Sequence, residues 1–449
     1  MDFRRRTLDN QVVRRFLNLP NLILLALALG VLFGWIAGSA KLLEAGILLE
    51  VLKLGGDLFK SLIFMVIMPL VFVSLICGMM SIGDLRKLGR VASRTLVLYL
   101  ITAALACIFA ILLVNAIKPG HAIAKETRDR IAKEHEVKQK EIVGKIKSTE
   151  HTPWTFIRGI VPNNVFAVLT TNSQMLPVIF FALLFGLCAA MIEAKRRENL
   201  AYTFESLSQV MIRMIQLVML TAPVGVFCLI AVATASIGIE VVKAMALYCL
   251  VVVLGLLIQF FVVYGGVIRL FTRLRFVDFV RACRPALVTA FSTSSSAASL
   301  PVNMECVNKR LNVSTSVTSF VLPIGTTVNM DGTAIMQTVA TVFIAQLYAM
   351  DLTAMQQIGV ILTAMLAAVG TAPVPAAGIA MLVIILEPLG IPLTGIALIW
   401  AVDRPLDMLR TVVNVAGDGV AAAAVATMEG EDVKYVPEEH RAEETTGSQ

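Results

Sequence analysis

The chain has 449 residues, of which 57% are hydrophobic and 15% charged, and its mean hydropathy is +0.82. Charged residues make up about 25% of an ordinary soluble domain, so that class is excluded and an integral membrane protein is indicated. The net charge of +7 needs no nucleic-acid partner, because the basic residues fall in clusters between apolar spans.

The N-terminal "MDFRRRTLDNQVVRRF" is basic and runs into an apolar span without a small-residue cleavage site, so no cleavable signal peptide is expected. Apolar stretches near 20–40, 48–78, 95–117, 175–193, 206–235 and 243–268 are each long enough for a hydrocarbon core roughly 30 Å thick. The clusters "RRRTLDNQVVRR", "DLRKLGRVASR", "AKRREN" and "RLFTRLRFVDFVRACR" are separated by pairs of spans, which places them on the cytoplasmic side. The loop 118–151 breaks that pattern with many lysines, nearly balanced by acids, and reads as an extramembrane loop. Seven cysteines show no CxxC spacing and read as packing residues. His121, His135, His151 and His440 all lie in polar segments, which argues against a histidine proton relay inside the membrane.

After residue 285 the texture changes. "LVTAFSTSSSAASLPVNM" (287–304) is rich in hydroxyls and interrupted by Pro301, and "AAVGTAPVPAAGIAML" (367–382) carries Gly370, Pro373, Pro375 and Gly378. Neither suits an unbroken helix. Irregular backbone at membrane depth persists only where it is buried in protein or lines a cavity. Each is followed by a span with a polar insert, so the pattern is that of a hairpin-plus-helix unit repeated, and paired broken segments point to a transporter's binding site.

The last span contains "DRPLDMLRTVVNVAGDG" (403–419), with three aspartates and two arginines. At helical spacing Asp403, Asp407, Arg410, Thr411, Asn414 and Asp418 share an arc of about 100°, while Leu406, Val412, Val413, Val415 and Ala416 are left to face lipid or other helices. Ionisable groups in a membrane face a partner or an aqueous cavity. Arg410 presents a planar fork suited to a carboxylate, and Asp407 one turn earlier suits an ammonium. Together they fit an acidic amino acid; the two also stand within reach of pairing with each other. Asp331 in "NMDGT" and Asp418 in "NVAGDG" each have an asparagine close by, Asn329 and Asn414. Carboxylate, amide and freed backbone oxygens form a cage for a small hard cation, sodium before calcium because each cage has one carboxylate. An intramembrane aspartyl protease would need GxGD, but Val415 takes the first glycine's place; a serine hydrolase would need GxSxG, which the serine run lacks.

With "STSSSAASLP", "NMDGT", "GTAPVPAAG" and "DRPLDMLRTVVNVAGD" in this order, the sequence resembles the glutamate/aspartate transporters, the dicarboxylate/amino acid:cation symporters, over residues 15–430. "RGIVPNNVF" (158–166) and "TAPVGVF" (221–227) resemble further segments of that family. The resemblance implies that Arg410 binds a substrate side-chain carboxylate and Asp407 its amino group. Thr333, Thr411 and Asn414 would add contacts, Ser295 and Ser296 would meet the main-chain carboxylate, and Val374 and Gly378 would contribute backbone from a gating hairpin. It implies three sodium sites: Gly325, Asn329, Asn414 and Asp418; Thr327, Ala368, Val369 and Thr371; and Tyr99, Thr102, Asn329 and Asp331. The sequence departs from the family at Ser294 and Met408, where an arginine near the substrate aspartate is usual. It departs again at Pro373 and Ala376 in the gating hairpin, at Ala103 beside the third sodium site, and at Gln337 in place of a glutamate.

The implied fold is an all-α membrane protein of eight transmembrane helices and two re-entrant helical hairpins, an inverted-repeat, elevator-type transporter. The implied parts are a cytoplasmic N-terminus (1–19), scaffold helices (20–94), a transport-domain helix (95–118), an extramembrane loop (119–155), further scaffold helices (156–240), a transport domain (241–428) and an acidic cytoplasmic tail (429–449). Within the transport domain the hairpins fall at about 285–312 and 353–388, and the helices after them at about 313–346 and 391–428. The expected function is sodium-coupled symport of L-aspartate or L-glutamate by a homotrimer in the cell membrane, with no organic cofactor. Alternatives are a C4-dicarboxylate, neutral amino acid or proton-coupled symporter.

Overall fold

The structure, a computed structural model, describes residues 19–39, 46–81, 85–128, 161, 163–169, 175–238, 240–369, 371, 373 and 377–437. Most of the loop expected at 118–151, the N-terminal basic segment and the end of the acidic tail lie outside the described residues.

Every element among the described residues is helical. The first group comprises α1 (Leu19–Ser39), α2 (Ile47–Ser81), α3 (Leu85–Ile117), α4 (Met175–Met191), α5 (Ala194–Met219) and α6 (Ala222–Ile237). The span expected at 206–235 is therefore two helices. Leu220 and Thr221 make the joint, and Pro223 at the second position of α6 supplies a residue whose missing N–H costs nothing there. After them come α7 (Glu240–Leu257), a π-helical segment Ile258–Tyr264, and α8 (Gly265–Phe271). Next are α9 (Phe276–Thr293) and α10 (Ser296–Glu305), α11 (Thr315–Val328) and α12 (Asp331–Leu347), α13 (Ala354–Val369), the short α14 (Ala377–Ala380) and α15 (Leu382–Leu386), and α16 (Ile396–Met428). Gly89–Ala122, Glu240–Phe271 and Val402–Met428 are long and apolar enough to cross a membrane.

Two sets of helices pack mainly among themselves. In one, α1 lies along α6, and α2 touches α4, α5 and α6. Gly30, Gly34 and Gly38 set the closeness of α1 to α6: a Cβ on Gly30 would lie 2.9 Å from the Phe227 carbonyl oxygen. Such small-residue stripes let membrane helices approach closely. In the other set α16 is central, touching α7, α9, α11 and α12. All of α12 is buried, and Val420 to Ala426 on α16 are at most 2% exposed. Leu406, Val413, Val415 and Ala416, expected to face lipid or neighbouring helices, all face protein, because α16 is surrounded by α7, α9, α11 and α12. Large apolar side chains such as Leu25, Leu29, Leu32 and Trp35 on α1 and Leu100 and Leu112 on α3 are exposed, as a surface solvated by lipid requires.

The break expected at Pro301 occurs earlier. Ser294 adopts a left-handed φ of 51° and ends α9, and Ser295 caps α10 by accepting the Ala298 N–H at 3.2 Å. Pro301 is accommodated inside α10, which passes into a π-helical turn at Cys306–Arg310.

Residues 429–437 fold back and are not a free tail. Arg94 donates to the Met428 carbonyl and to Glu429, at 2.6 and 2.7 Å. Glu431 accepts from the Ser314 amide at 2.8 Å and its hydroxyl at 2.6 Å, tying the segment to the residue that caps α11. Removing a charged acceptor from two such bonds costs about 1.5–3 kcal/mol. Glu431→Ala should accordingly lower the thermal unfolding midpoint in detergent, and an unchanged midpoint would show that this clasp adds no stability.

Candidate functional site

The site begins where helices stop. α11 ends at Asn329 (φ −92°, ψ 82°) and α12 starts after Met330 (φ −117°, ψ 49°). That two-residue gap frees carbonyl oxygens and sets Asp331 in the first turn of α12, where the helix dipole favours a carboxylate. Opposite the gap lies the polar face of α16, and above it the turn between α9 and α10 meets the second hairpin. The Ser295 hydroxyl donates to the Pro373 carbonyl at 2.9 Å, and the Gln337 amide donates to the Gly378 carbonyl at 3.0 Å. Both hairpins are thus drawn over the gap.

They frame a pocket lined by Ser294, Ser296, Met330, Thr333, Thr371, Pro373, Gly378, Asp407, Arg410, Thr411 and Asn414. Of the residues expected at a substrate, Ser296, Thr333, Gly378, Asp407, Arg410, Thr411 and Asn414 line it together. Ser295 is adjacent, with its hydroxyl turned onto the hairpin contact. Val374 lies outside the described residues, as does Ala376.

Arg410 is 3% exposed and pairs with two aspartates, with Asp407 at 2.5 Å and with Asp403 at 3.4 Å. The intrahelical pairing open in the sequence is therefore made, with Asp403 as a second acceptor. Arg404 approaches the other Asp407 oxygen at 3.8 Å. Two acids and two bases form a neutral quartet, three of them buried and Arg404 partly exposed, which is how this helix carries so much charge: an ion removed from water costs several kcal/mol unless paired. Ser294 and Met408, the positions lacking an arginine, supply no charge here; the second cation comes from position 404. Thr411 donates to the Asp407 carbonyl at 2.8 Å.

Asn414 joins this pocket to a second polar core. Its side-chain oxygen accepts the Gly332 N–H at 2.8 Å, and its amide donates to Thr333 at 3.3 Å. Its backbone carbonyl accepts from Asn329 at 3.3 Å, and the same Asn329 amide donates to Asp418 at 2.9 Å. A Cβ on Gly325 would strike both the Asp418 carboxylate and the Tyr99 hydroxyl, so only glycine fits there, and the first and third expected cation sets meet at one place.

Asp331, fully buried, receives Gln259 at 2.7 Å and Tyr264 at 2.9 Å on one oxygen. Asn329 Oδ1, Asp331 Oδ1 and Gln259 Oε1 are buried oxygens without a donor, and a cation is the kind of partner they lack. Among the described residues no three His, Cys, Asp or Glu gather as for a transition metal; the donors are hard oxygens. Thr102 is at this core but donates to the Tyr99 carbonyl at 3.2 Å. The remaining set is less assembled. α11 touches α13, but Thr327 donates to Ile324 at 3.0 Å and Thr371 to Ala367 at 2.8 Å, while the Ala368 carbonyl accepts the Thr371 N–H at 3.0 Å. Val369 is the last residue of α13.

Gln259, Tyr264 and the pairing role of Asp403 were not anticipated. Gln259 is the one amide in the apolar run "LLIQFFVVYGG", which was signal enough to suspect it. The π-helical register that brings Tyr264 to the same carboxylate has no marker in the sequence.

Residues 19–428 match the profile of the sodium:dicarboxylate symporter family. The chain is 36% identical over 407 residues, covering 91% of it and 92% of the relative, to the proton/glutamate-aspartate symporter of Escherichia coli (strain K12). It is 35% identical over 376 residues, 84% of it and 87% of the relative, to the proton/sodium-glutamate symport protein of Bacillus caldotenax. It is 29% identical over 471 residues, 94% of it and 82% of the relative, to human excitatory amino acid transporter 2. These relatives are transporters and not enzymes, so the protease and hydrolase readings fall away.

Proposed function

We propose that this chain, which belongs to the sodium:dicarboxylate symporter family, is a secondary active symporter that takes up L-aspartate or L-glutamate with sodium by an elevator movement. The observation that carries the substrate assignment is the Asp407–Arg410 pair at 2.5 Å, facing a pocket closed by two hairpins. A zwitterion with a further carboxylate satisfies both ends of that pair: the carboxylate takes the Arg410 fork and the ammonium takes Asp407. A plain dicarboxylate offers Asp407 nothing, and a neutral amino acid leaves Arg410 unsatisfied.

Charge supplies the reason for a coupled cation. The quartet is neutral, so an acidic amino acid brings one net negative charge into a dry site, and a cation in the neighbouring oxygen core offsets it. Asn414, bonded into both, gives a short route by which each ligand favours the same closed state. Sodium is the ion chosen, on the hardness of the donors around Asp331 and Asp418. Proton coupling is the second reading, because the names of the bacterial relatives include protons. The remaining parts of the proposal are a homotrimer in the cell membrane with both termini cytoplasmic, eight spans and two re-entrant hairpins. In it, α1, α2 and α4–α6 form the scaffold, and α3 and α7–α16 carry the substrate.

The test is uptake of radiolabelled L-aspartate into liposomes holding the purified protein, under an inward sodium gradient, a proton gradient alone, or neither. Uptake that needs sodium, competed by L-glutamate but not by succinate or serine, is expected. Uptake with protons alone would move the coupling to the second reading, and uptake of succinate or serine in place of aspartate would overturn the substrate.

A further inference from the structure

We propose that Arg404 is a positioning residue of this site, which holds the Asp407 carboxylate in place for a substrate ammonium and so sets the preference for amino acids over plain dicarboxylates. The inference rests on the acidic amino acid reading above.

The geometry divides Asp407 between two arginines. Arg410 Nη2 takes Oδ1, and Arg404 Nη1 lies 3.8 Å from Oδ2. Only Arg410 lines the pocket. Arg404, one turn before Asp407 and 15% exposed at its side chain, lines instead a narrow crevice where α16 faces Ile23, Phe59, Ala222 and Val226 of α1, α2 and α6. It therefore reaches the substrate through Asp407 and not by contact.

The two arginines have different fates when a ligand enters. A ligand carboxylate competes with Asp407 and Asp403 for the Arg410 fork. As Arg410 turns to it, Asp407 Oδ1 is released toward the pocket and becomes the acceptor for the ammonium. Arg404 then remains beside Oδ2 and supplies a positive charge to the buried carboxylate. Its Nε is buried without a hydrogen-bond partner; its ion pair is with Asp407, and its charge also reaches Asp403. A separation of 3.8 Å is too long for a hydrogen bond, so the hold is that of a charge and not of a fork, and a lysine can supply it.

The experiment compares wild type, Arg404→Gln and Arg404→Lys in the sodium-driven liposome assay. For Arg404→Gln the KM for L-aspartate should rise about tenfold, a loss near 1.4 kcal/mol, with Vmax within about twofold and with succinate, which has no ammonium, still failing to compete. Arg404→Lys should restore most of the affinity. A lower Vmax with KM kept would make Arg404 part of the contact between the two helix sets and overturn the inference. So would a lysine variant no better than glutamine. If Arg404→Gln does not fold, Arg404→Met keeps the stem in the crevice without the charge, and the same outcomes are read on it. A wild type that takes up no L-aspartate would instead defeat the functional reading itself.

Discussion

Arg410→Cys is expected to lower L-aspartate uptake at least 100-fold while admitting neutral amino acids such as L-serine. The guanidinium is 3% exposed and its donors point at carboxylates. Each charge-assisted hydrogen bond contributes about 1.5–3 kcal/mol, so losing a bidentate pair to a ligand carboxylate amounts to at least two decades in affinity. A buried site that binds one charge rejects ligands that leave it unpaired; with cysteine there, the penalty falls on the acidic ligand. The same change takes the Arg410 guanidinium away from both Asp403 and Asp407. Some loss of stability is therefore expected, and the melting midpoint must be followed alongside uptake. Arg410→Lys separates the two effects: it keeps a charge in the quartet but loses the fork, so it should fold and yet transport aspartate poorly. Undiminished aspartate uptake by Arg410→Cys would overturn the site.

What the sequence made legible was periodic. Asp407, Arg410, Thr411 and Asn414 fall on one helical face because 3.6 residues make a turn, and the pocket gathers those four. The unwound step at Asn329–Met330 was legible from a polar "NMDG" inside an apolar run. Other features depend on distances between segments, which periodicity does not carry. Arg404 stands one turn before Asp407, a spacing that helical periodicity does offer, but the crevice it lines between α16 and α1, α2 and α6 is set by packing. The joint between α5 and α6 was hidden because one apolar run covers it, although Thr221 and Pro223 stand there. Gln259 and Tyr264 converge on Asp331 through a π-helical register. Asp403 was on the right face, but whether it meets solvent, ligand or arginine is a matter of tertiary contact.

Asp418→Asn is expected to remove the response to sodium while leaving the protein folded. Asp418 is 1% exposed, stands beside Gly325 and Tyr99, and accepts the Asn329 amide at 2.9 Å. Among the described residues no basic side chain forms an ion pair with Asp418 or Asp331. A buried carboxylate without a cationic neighbour is costly, and a bound cation repairs this at the same place where Asn329 and Asp331 hold donor-less oxygens. Asparagine keeps the size but removes the charge, and its amide can meet the Asn329 amide donor to donor. Wild-type protein should melt at higher temperature in sodium than in a large organic cation, because a ligand at 100 times its dissociation constant stabilises the folded state by about 2.7 kcal/mol. In Asp418→Asn that rise should shrink to near nothing, and half-maximal uptake should need at least tenfold more sodium. Asp331→Asn should behave alike, since the two carboxylates serve one oxygen core. A variant that keeps the full sodium-dependent rise would place the cation elsewhere. A wild type that responds to pH and not to sodium would keep Asp418 and Asp331 as the coupling groups but make the proton their ion.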